Sequence, residues 1–421
     1  MNLSFDNTQA AFAYKSTSDL VKARFLFTVI QSPLIVSVAT KVTPVLMNSG
    51  LPINGIIRNT IFKQFVGGET LEESARVTKQ LGSYGVQVIL DYGVEAKEGD
   101  ENFDSVTENI IEAIDFAATQ NNIPYVSVKI TGVASLVLLE HLNEAPRLRS
   151  GIHDSESENA AWESVRERMF AICEVANEKG IGVLIDAEET WIQDPIDRLA
   201  IELMGVYNKE KVVVFNTYQL YRNDRLRFLQ LSHRIAKEGG FILGAKLVRG
   251  AYMEKERERA QKNGYPSPIH KDKFATDKDY DAAALYCIQN IDTISLLLAS
   301  HNEESNLKIM DEMSKLGMQK NHARIHFSQL YGMSDHISFN MAIEGFNVSK
   351  YLPFGPIKEV IPYLMRRAEE NSSVNGQTNR ELLLIRKELA RRKDKKNEPI
   401  SPNRCKLQHA TILDFITTCF R

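Results

Sequence analysis

The chain has 421 residues, 51 basic and 54 acidic side chains, and a formal net charge of −3. That length suits one barrel of about 250–300 residues with attachments, or two to three smaller domains. The near-neutral balance speaks against a nucleic-acid binder, which would carry a basic excess. The four cysteines (Cys173, Cys287, Cys405, Cys419) form no CxxC pair, which argues against a disulfide framework or structural zinc and for a reducing compartment.

The N-terminus lacks the basic start and apolar core of a secretory signal, so a cytoplasmic location is expected. Residues 25–47 are the most apolar stretch. Pro33, Lys41 and Pro44 interrupt it, leaving it short of the roughly 20 clean apolar residues of a membrane span. A buried helix pair is the first expectation for it, and interfacial membrane contact the second. Gly67-Gly68 breaks the chain ahead of an amphipathic helix over 69–83. Apolar, β-rich runs then recur at 86–91, 125–131, 182–187, 211–217, 243–249, 293–299, 323–328 and 346–352, each followed by a longer helical pattern. Continuous apolar runs are what parallel strands covered by helices require. Eight such units fit a (βα)8 barrel or a doubly wound sheet, and eight is the number that closes a barrel. The long gaps 132–181 and 250–292 read as insertions on barrel loops. A basic, helix-like run (380–396) opens the last 40 residues, and the stretch 397–421 that ends them has a pattern that does not connect to the barrel. The division expected is an N-terminal helical segment (1–80), the barrel (81–378) and a basic helical tail (379–421).

A barrel carries its active site at the C-terminal ends of its strands. Each run here delivers a polar residue at that end: Asp91, Lys129, Asp186, Gln219, Lys246 with Arg249, Ser300 with His301, Gln329, and Tyr351. Polar residues commonly mark a strand's exit into a loop, which accounts for about half of these. Lys129 and Lys246 are different, because each sits inside an apolar run and would be buried at a cost unless paired. Near the end of the barrel, Tyr363, Arg366, Arg367 and Glu370 fall at i, i+3, i+4 and i+7 on one helical face. Adjacent arginines suit bidentate clamping of a carboxylate or phosphate. On pattern alone a solvated charged face is the commoner arrangement. No GxxxxGK[ST], HExxH, GxSxG or GxGxxG occurs and the nine histidines show no ligand spacing, so no metal site is expected.

Ten blocks in chain order, FVGGETLEES, DYGVEAK, SVKITG, LIDAEETWIQ, FNTYQLY, GAKLVRGAY, ASHN, QLYGM, KYLPFGP and YLMRRAEENSS, resemble the proline dehydrogenases over about residues 65–375. An insertion between the second and third blocks is similar to the longer, mitochondrial-type branch. The resemblance implies a distorted (βα)8 TIM-type barrel with FAD across its mouth. It implies oxidation of L-proline to 1-pyrroline-5-carboxylate, the first step of proline catabolism, by a monofunctional protein passing electrons to a membrane quinone. Residue by residue, it implies that Lys129, Arg366 and Arg367 hold the substrate carboxylate, while Tyr252, Leu330, Tyr351 and Tyr363 wall the ring. Asp186 and Lys246 resemble the catalytic pair. Ala187, Gln219, Lys246, Val248, Arg249, Gly250, Ala251, Ser300, His301, Asn302 and Glu370 resemble FAD contacts. Asp91 and Glu95 resemble an acidic pair that holds Arg366 when the site is empty. Lys246 departs from the arginine of many bacterial members and loses the planar fork. Reaching a membrane quinone adds the expectation of peripheral contact with the inner face of the cytoplasmic membrane, through 25–47 or Arg386–Lys396. Hydroxyproline dehydrogenase on the same fold, or a non-catalytic proline-binding barrel, are the alternatives.

Overall fold

The computed structural model describes residues 4–32, 34–38, 54–93, 98–144, 156–373 and 375–397. Eight parallel strands close into a barrel in chain order, with β8 returning to pair with β1. They are β1 (Gln87–Tyr92), β2 (Tyr125–Val128), β3 (Gly182–Ile185), β4 (Val214–Gln219), β5 (Leu243–Val248), β6 (Ile294–Ala299), β7 (Ile325–Leu330) and β8 (Val348–Phe354). Their continuous apolar runs are explained by burial on both faces, since helices ring the barrel outside and Ile89, Leu184, Phe215 and Leu297 plug it inside.

The strands depart from the sequence expectation at their ends. β2 stops at Val128, because Ile130–Gly132 form a 3-10 turn that carries the chain out of the ladder just after Lys129. β4 begins at Val214 rather than 211. Asn208 Oδ1 takes the N–H groups of both Val213 and Val214 at 2.9 Å, and the ladder starts only at Val214. The two long gaps each hold an additional helix, Leu136–Glu144 after β2 and Met253–Asn263 after β5.

The helix that follows β8, Ile357–Ser373, packs against the N-terminal helix Thr17–Ile30 and the turn Arg58–Phe62 rather than taking a place on the barrel's flank. Leu71–Gly82 packs on β1. The segment ahead of that helix fixes the final one: Gly67 N–H donates to Pro353 O at 2.8 Å, Gly355 N–H to Gly68 O at 3.1 Å, and Ile357 N–H to the Glu69 carboxylate at 3.3 Å. A Cβ on Gly68 would stand 2.3 Å from that of Glu73, so only glycine allows this close approach.

The basic run packs into the rest of the fold, while residues 398–421 lie outside the described residues. It forms the helix Asn375–Asn397, whose Leu382, Leu384 and Ile385 are buried with Leu20, Phe27 and Ile30 of the N-terminal helix. The expectation of a buried helix pair at 25–47 needs correction over its described part, and residues 39–47 lie outside the described residues. Among the described residues one face of Thr17–Ile30 is buried, through Leu20, Ala23, Phe27 and Ile30, while Phe25 and, beyond the helix, Leu34, Ile35 and Val38 stay exposed, Leu34 by 80%. These terminal elements are pinned to the barrel by one buried carboxylate. Asp335 binds Lys350 of β8 at 2.9 Å, Lys15 at 3.0 Å and the Tyr14 hydroxyl at 2.8 Å, and the cations outweigh burial to hold its pKa well below the usual carboxylate range.

Candidate active site

Side chains alternate across a strand, so positions two apart line the same face. From Ile89 that step reaches Asp91, from Leu184 it reaches Asp186, and from Tyr125 two steps pass Ser127 to Lys129. Lys246 of β5 meets them from the opposite wall. The pleat alone therefore stacks a charged layer on the apolar plug, at the C-terminal end of the barrel.

Asp186 is the centre of that layer. Its carboxylate takes a bond from Lys246 Nζ and another from the Tyr351 hydroxyl at 2.8 Å, and Lys129 Nζ stands 3.6 Å away. Burial alone would raise the Asp186 pKa; the charges of Lys246 and Lys129, with the bonds from Lys246 and Tyr351, outweigh it and hold the group down at about 2. Lys129 also pairs with Asp91 at 3.2 Å. Burial works against its charge, but Asp91 and Asp186 dominate and keep its pKa above the ordinary lysine value. Lys246 is buried, whereas the Lys129 side chain is 27% exposed and is the cation of this cluster that reaches the mouth. Tyr351 is held further by Ser127 Oγ at 3.2 Å, and the Lys246 ammonium lies 5.3 Å from its ring.

The final helix brings its arginines over the same opening. The Arg366 charge acts on both Lys129 and Tyr252, and the Arg367 charge acts on His301 on another side of the mouth. Arg367 is buried and lies 5.1 Å from the Tyr363 ring. Leu330 ends β7 and packs into the apolar cluster beneath this helix. Of the expected acidic pair, Asp91 engages Lys129; Glu95 lies outside the described residues, as does the side chain of Glu370.

A second group of candidates lines the lip formed by β4, β5 and β6. Val248 to Tyr252 are half-buried to exposed, and Gly250 adopts φ +138°, where a Cβ would also stand 2.5 Å from the Tyr221 ring. Arg249 is wired to Asp277 at 2.7 Å, Ser300 Oγ at 2.7 Å and Ser305 Oγ at 3.0 Å, and its guanidinium lies 4.3 Å over the Tyr280 ring. Asn302 caps the helix Glu303–Lys315 through Ser305 N–H. Burial, followed by the Lys350 and Arg367 charges, pushes the His301 pKa down to about 3. His301 is thus neutral; Nε2 accepts from Leu330 N–H, which puts the proton on Nδ1, facing Ser334 Oγ at 2.9 Å. An open lip with a glycine-permitted backbone beside a fixed guanidinium suits an extended anionic group. Gln219 gives its amide to Glu188 O at 2.6 Å, and Gln329 spends its amide on Ser300 O and Ser338, so Gln329 is scaffold.

Sequence reasoning passed over Glu188. It is buried, accepts from Thr131 at both oxygens, and is pushed up to about 7 by burial. The signal was the paired acid following Asp186 in LIDAEE, where one carboxylate beyond the active-site one needs an explanation. Among the described residues, no group of three His, Cys, Asp or Glu could hold a metal ion.

Comparison with known proteins places the chain in a family. The family model for proline dehydrogenase matches residues 74–380. The carbapenem antibiotics biosynthesis protein CarD of Pectobacterium carotovorum subsp. carotovorum is 35% identical, over 78% of this chain and 83% of its own. The mitochondrial proline dehydrogenase 1 of Dictyostelium discoideum is 32% identical, over 92% and 74%. The hydroxyproline dehydrogenase of Xenopus laevis is also 32% identical, over 90% and 88%. Among solved structures, proline utilization A (PutA) from Bdellovibrio bacteriovorus, inactivated by N-propargylglycine, superposes with a TM-score of 0.67 at 21% identity; it covers 88% of this chain, which spans 37% of that protein's length. The fold is a (βα)8 barrel with a charged mouth, and the family match makes it that of an oxidoreductase. The chain belongs to the proline dehydrogenase family.

The Asp186 cluster carries a consequence for acid stability. Its folded pKa lies below the ordinary value of about 3.9, so its contribution is present above about pH 4 and is lost as pH falls toward 2. Lys246→Met removes the nearer cation and lets the folded pKa rise. The acid-unfolding midpoint, followed by circular dichroism, should move to higher pH than in the wild type. An unchanged midpoint would show that Lys246 does not hold the carboxylate ionised.

Proposed function

We propose that the protein oxidises L-proline to 1-pyrroline-5-carboxylate with bound FAD, and passes the electrons to a membrane quinone. The observation that carries this reading is the Asp186–Lys246–Lys129–Tyr351 cluster at the mouth of a proline dehydrogenase family barrel. Lys129 is the accessible cation of that cluster, and with Arg366 and Arg367 it would receive the substrate carboxylate as that anion gives up its water. Tyr252, Leu330, Tyr351 and Tyr363 would enclose the ring. Ala187, Gln219, Lys246, the lip Val248 to Ala251, and Ser300 to Asn302 would hold FAD, the Glu370 position adding its adenosine side.

When bound, FAD supplies the two-electron acceptor. Oxidation removes a hydride from the ring carbon beside nitrogen and a proton from the nitrogen, leaving a C=N bond. Asp186 is no base for that proton, because a carboxylate held at about 2 has almost no affinity for one. Its role is electrostatic: one negative charge fixes two lysines and a phenol at the spacing the substrate meets. Tyr351 is pinned by Asp186 and Ser127, so its phenol cannot swing away to admit a hydroxyl on the ring. This favours proline over trans-4-hydroxy-L-proline, the second reading, which the equal identity to the hydroxyproline relative keeps open.

Phe25, Leu34, Ile35 and Val38 are exposed apolar residues, and the helix that packs on Thr17–Ile30 bears exposed Arg386, Lys387, Lys393 and Lys395. Among the described residues, no helix is long and apolar enough to cross a membrane. An apolar face beside a basic helix suits shallow docking on an anionic bilayer, from which a membrane quinone is within reach.

Arg366→Met and Arg367→Met should each raise KM for L-proline by about tenfold to over a hundredfold, the cost of losing a charge-assisted bond to a desolvated carboxylate. Unchanged KM in both variants, with flavin bound, would remove the clamp. In liposome flotation at low ionic strength the protein should rise with anionic vesicles and be released by salt. Absence of binding would remove the membrane reading.

A further inference from the structure

The segment Asp186–Thr190 makes two contacts of one design, neither of them part of the substrate cluster. The Glu188 carboxylate accepts Thr131 N–H at 3.0 Å on one oxygen and the Thr131 hydroxyl at 2.6 Å on the other. Thr131 stands on the turn Ile130–Gly132, two residues after Lys129. Two residues beyond Glu188 the pattern repeats with roles exchanged: Thr190 gives its N–H and its hydroxyl, each at 2.7 Å, to the two oxygens of Glu256. Glu256 lies in the first turn of the helix Met253–Asn263, and its own N–H donates to Tyr252 O at 2.9 Å. Both carboxylates are buried, at 4% and 0% exposure. The backbone of Glu188 is fixed as well, its N–H by Gln193 Oε1 at 2.7 Å and its carbonyl by Gln219 at 2.6 Å.

Burying a carboxylate is costly unless bonds and charges replace its water: each oxygen here takes a bond from a threonine, and the Lys129 charge acts on Glu188 as the Arg222 charge does on Glu256. A threonine presenting N–H and O–H side by side needs two acceptor oxygens at fixed separation, which a carboxylate has and an amide lacks. The two clasps therefore tie the β2 exit to the β3 exit, and the β3 exit to the β5 exit. Lys129, Asp186 and Tyr252 ride on the three pieces so joined.

We propose that Glu188 and Glu256, through Thr131 and Thr190, are positioning residues that set the spacing of Lys129 and Tyr252 across the substrate pocket. This rests on the assignment of Lys129 to the substrate carboxylate. A displaced Lys129 weakens ground state and transition state alike, so the loss falls on KM and not on kcat.

The test is steady-state kinetics with L-proline on flavin-loaded full-length protein. Thr131→Val keeps the shape and removes the hydroxyl donor; KM should rise about tenfold with kcat close to wild type, and Thr131→Ser should restore it. Thr190→Val tests the second clasp independently, should Thr131→Val fail to fold, and should also raise KM. Lys129→Met is run beside them. Wild-type KM in the valine variants with a raised KM in Lys129→Met would overturn the clasps and leave the site standing. Wild-type KM in Lys129→Met would overturn the site assignment itself, and the inference with it. A fall in kcat at constant KM, or failure of Thr131→Ser to restore, would also overturn it.

Discussion

A lysine buried inside a barrel must find a negative charge, and in this protein two lysines find the same one. Asp186 takes Lys246 from two strands along the barrel, stands close to Lys129 at the end of the neighbouring strand, and accepts from Tyr351 three strands the other way round. The rest of the mouth follows from that constraint. Lys129 cannot retract, because Asp91 holds its other side, so it projects where a ligand can meet it. Tyr351 is pinned through its hydroxyl by Asp186 and Ser127, so the mouth has a fixed wall on that side. The charges of Lys246 and Lys129, with the bonds from Lys246 and Tyr351, hold the carboxylate ionised despite its burial.

A mirror of this arrangement lies on the outer side of β8. Tyr351 points into the barrel, and Lys350, one residue earlier, points out of it into a fully buried pair with Asp335. Asp335 reaches on to Lys15 and Tyr14, and the neighbouring Ser334 N–H donates to Glu381 of the C-terminal helix at 3.1 Å. One strand thus serves the pocket with one face and anchors both terminal segments with the other. Those segments support the helix that carries Arg366 and Arg367, so the lid over the mouth is built on contacts far from it in sequence.

Much of this was legible in the sequence. Parallel strands buried on both faces must read as continuous apolar runs, and a lysine inside such a run is conspicuous because it needs a partner. The partners were not legible: nothing local says that Lys129 and Lys246 share Asp186, since that pairing depends on barrel closure. Strand ends were misread where a side chain replaces the ladder, as Asn208 does ahead of β4. The clasp residues escaped because Thr131 and Thr190 look like ordinary turn residues until Glu188 and Glu256 are brought beside them. The described part of 25–47 is more exposed than expected, because apolarity alone does not reveal which helix face has a partner. Glu95 and the chain beyond 397 lie outside the described residues.

The central claim is that one buried carboxylate organises a site that oxidises L-proline. The most direct measurement is the visible spectrum of flavin-loaded protein, mixed anaerobically with L-proline, for the wild type and for Asp186→Asn. The account predicts that the wild-type flavin bands bleach, and that Asp186→Asn, with flavin still bound, bleaches far more slowly. An oxidised spectrum that persists in the wild type, or equal bleaching rates in the two proteins, would contradict it.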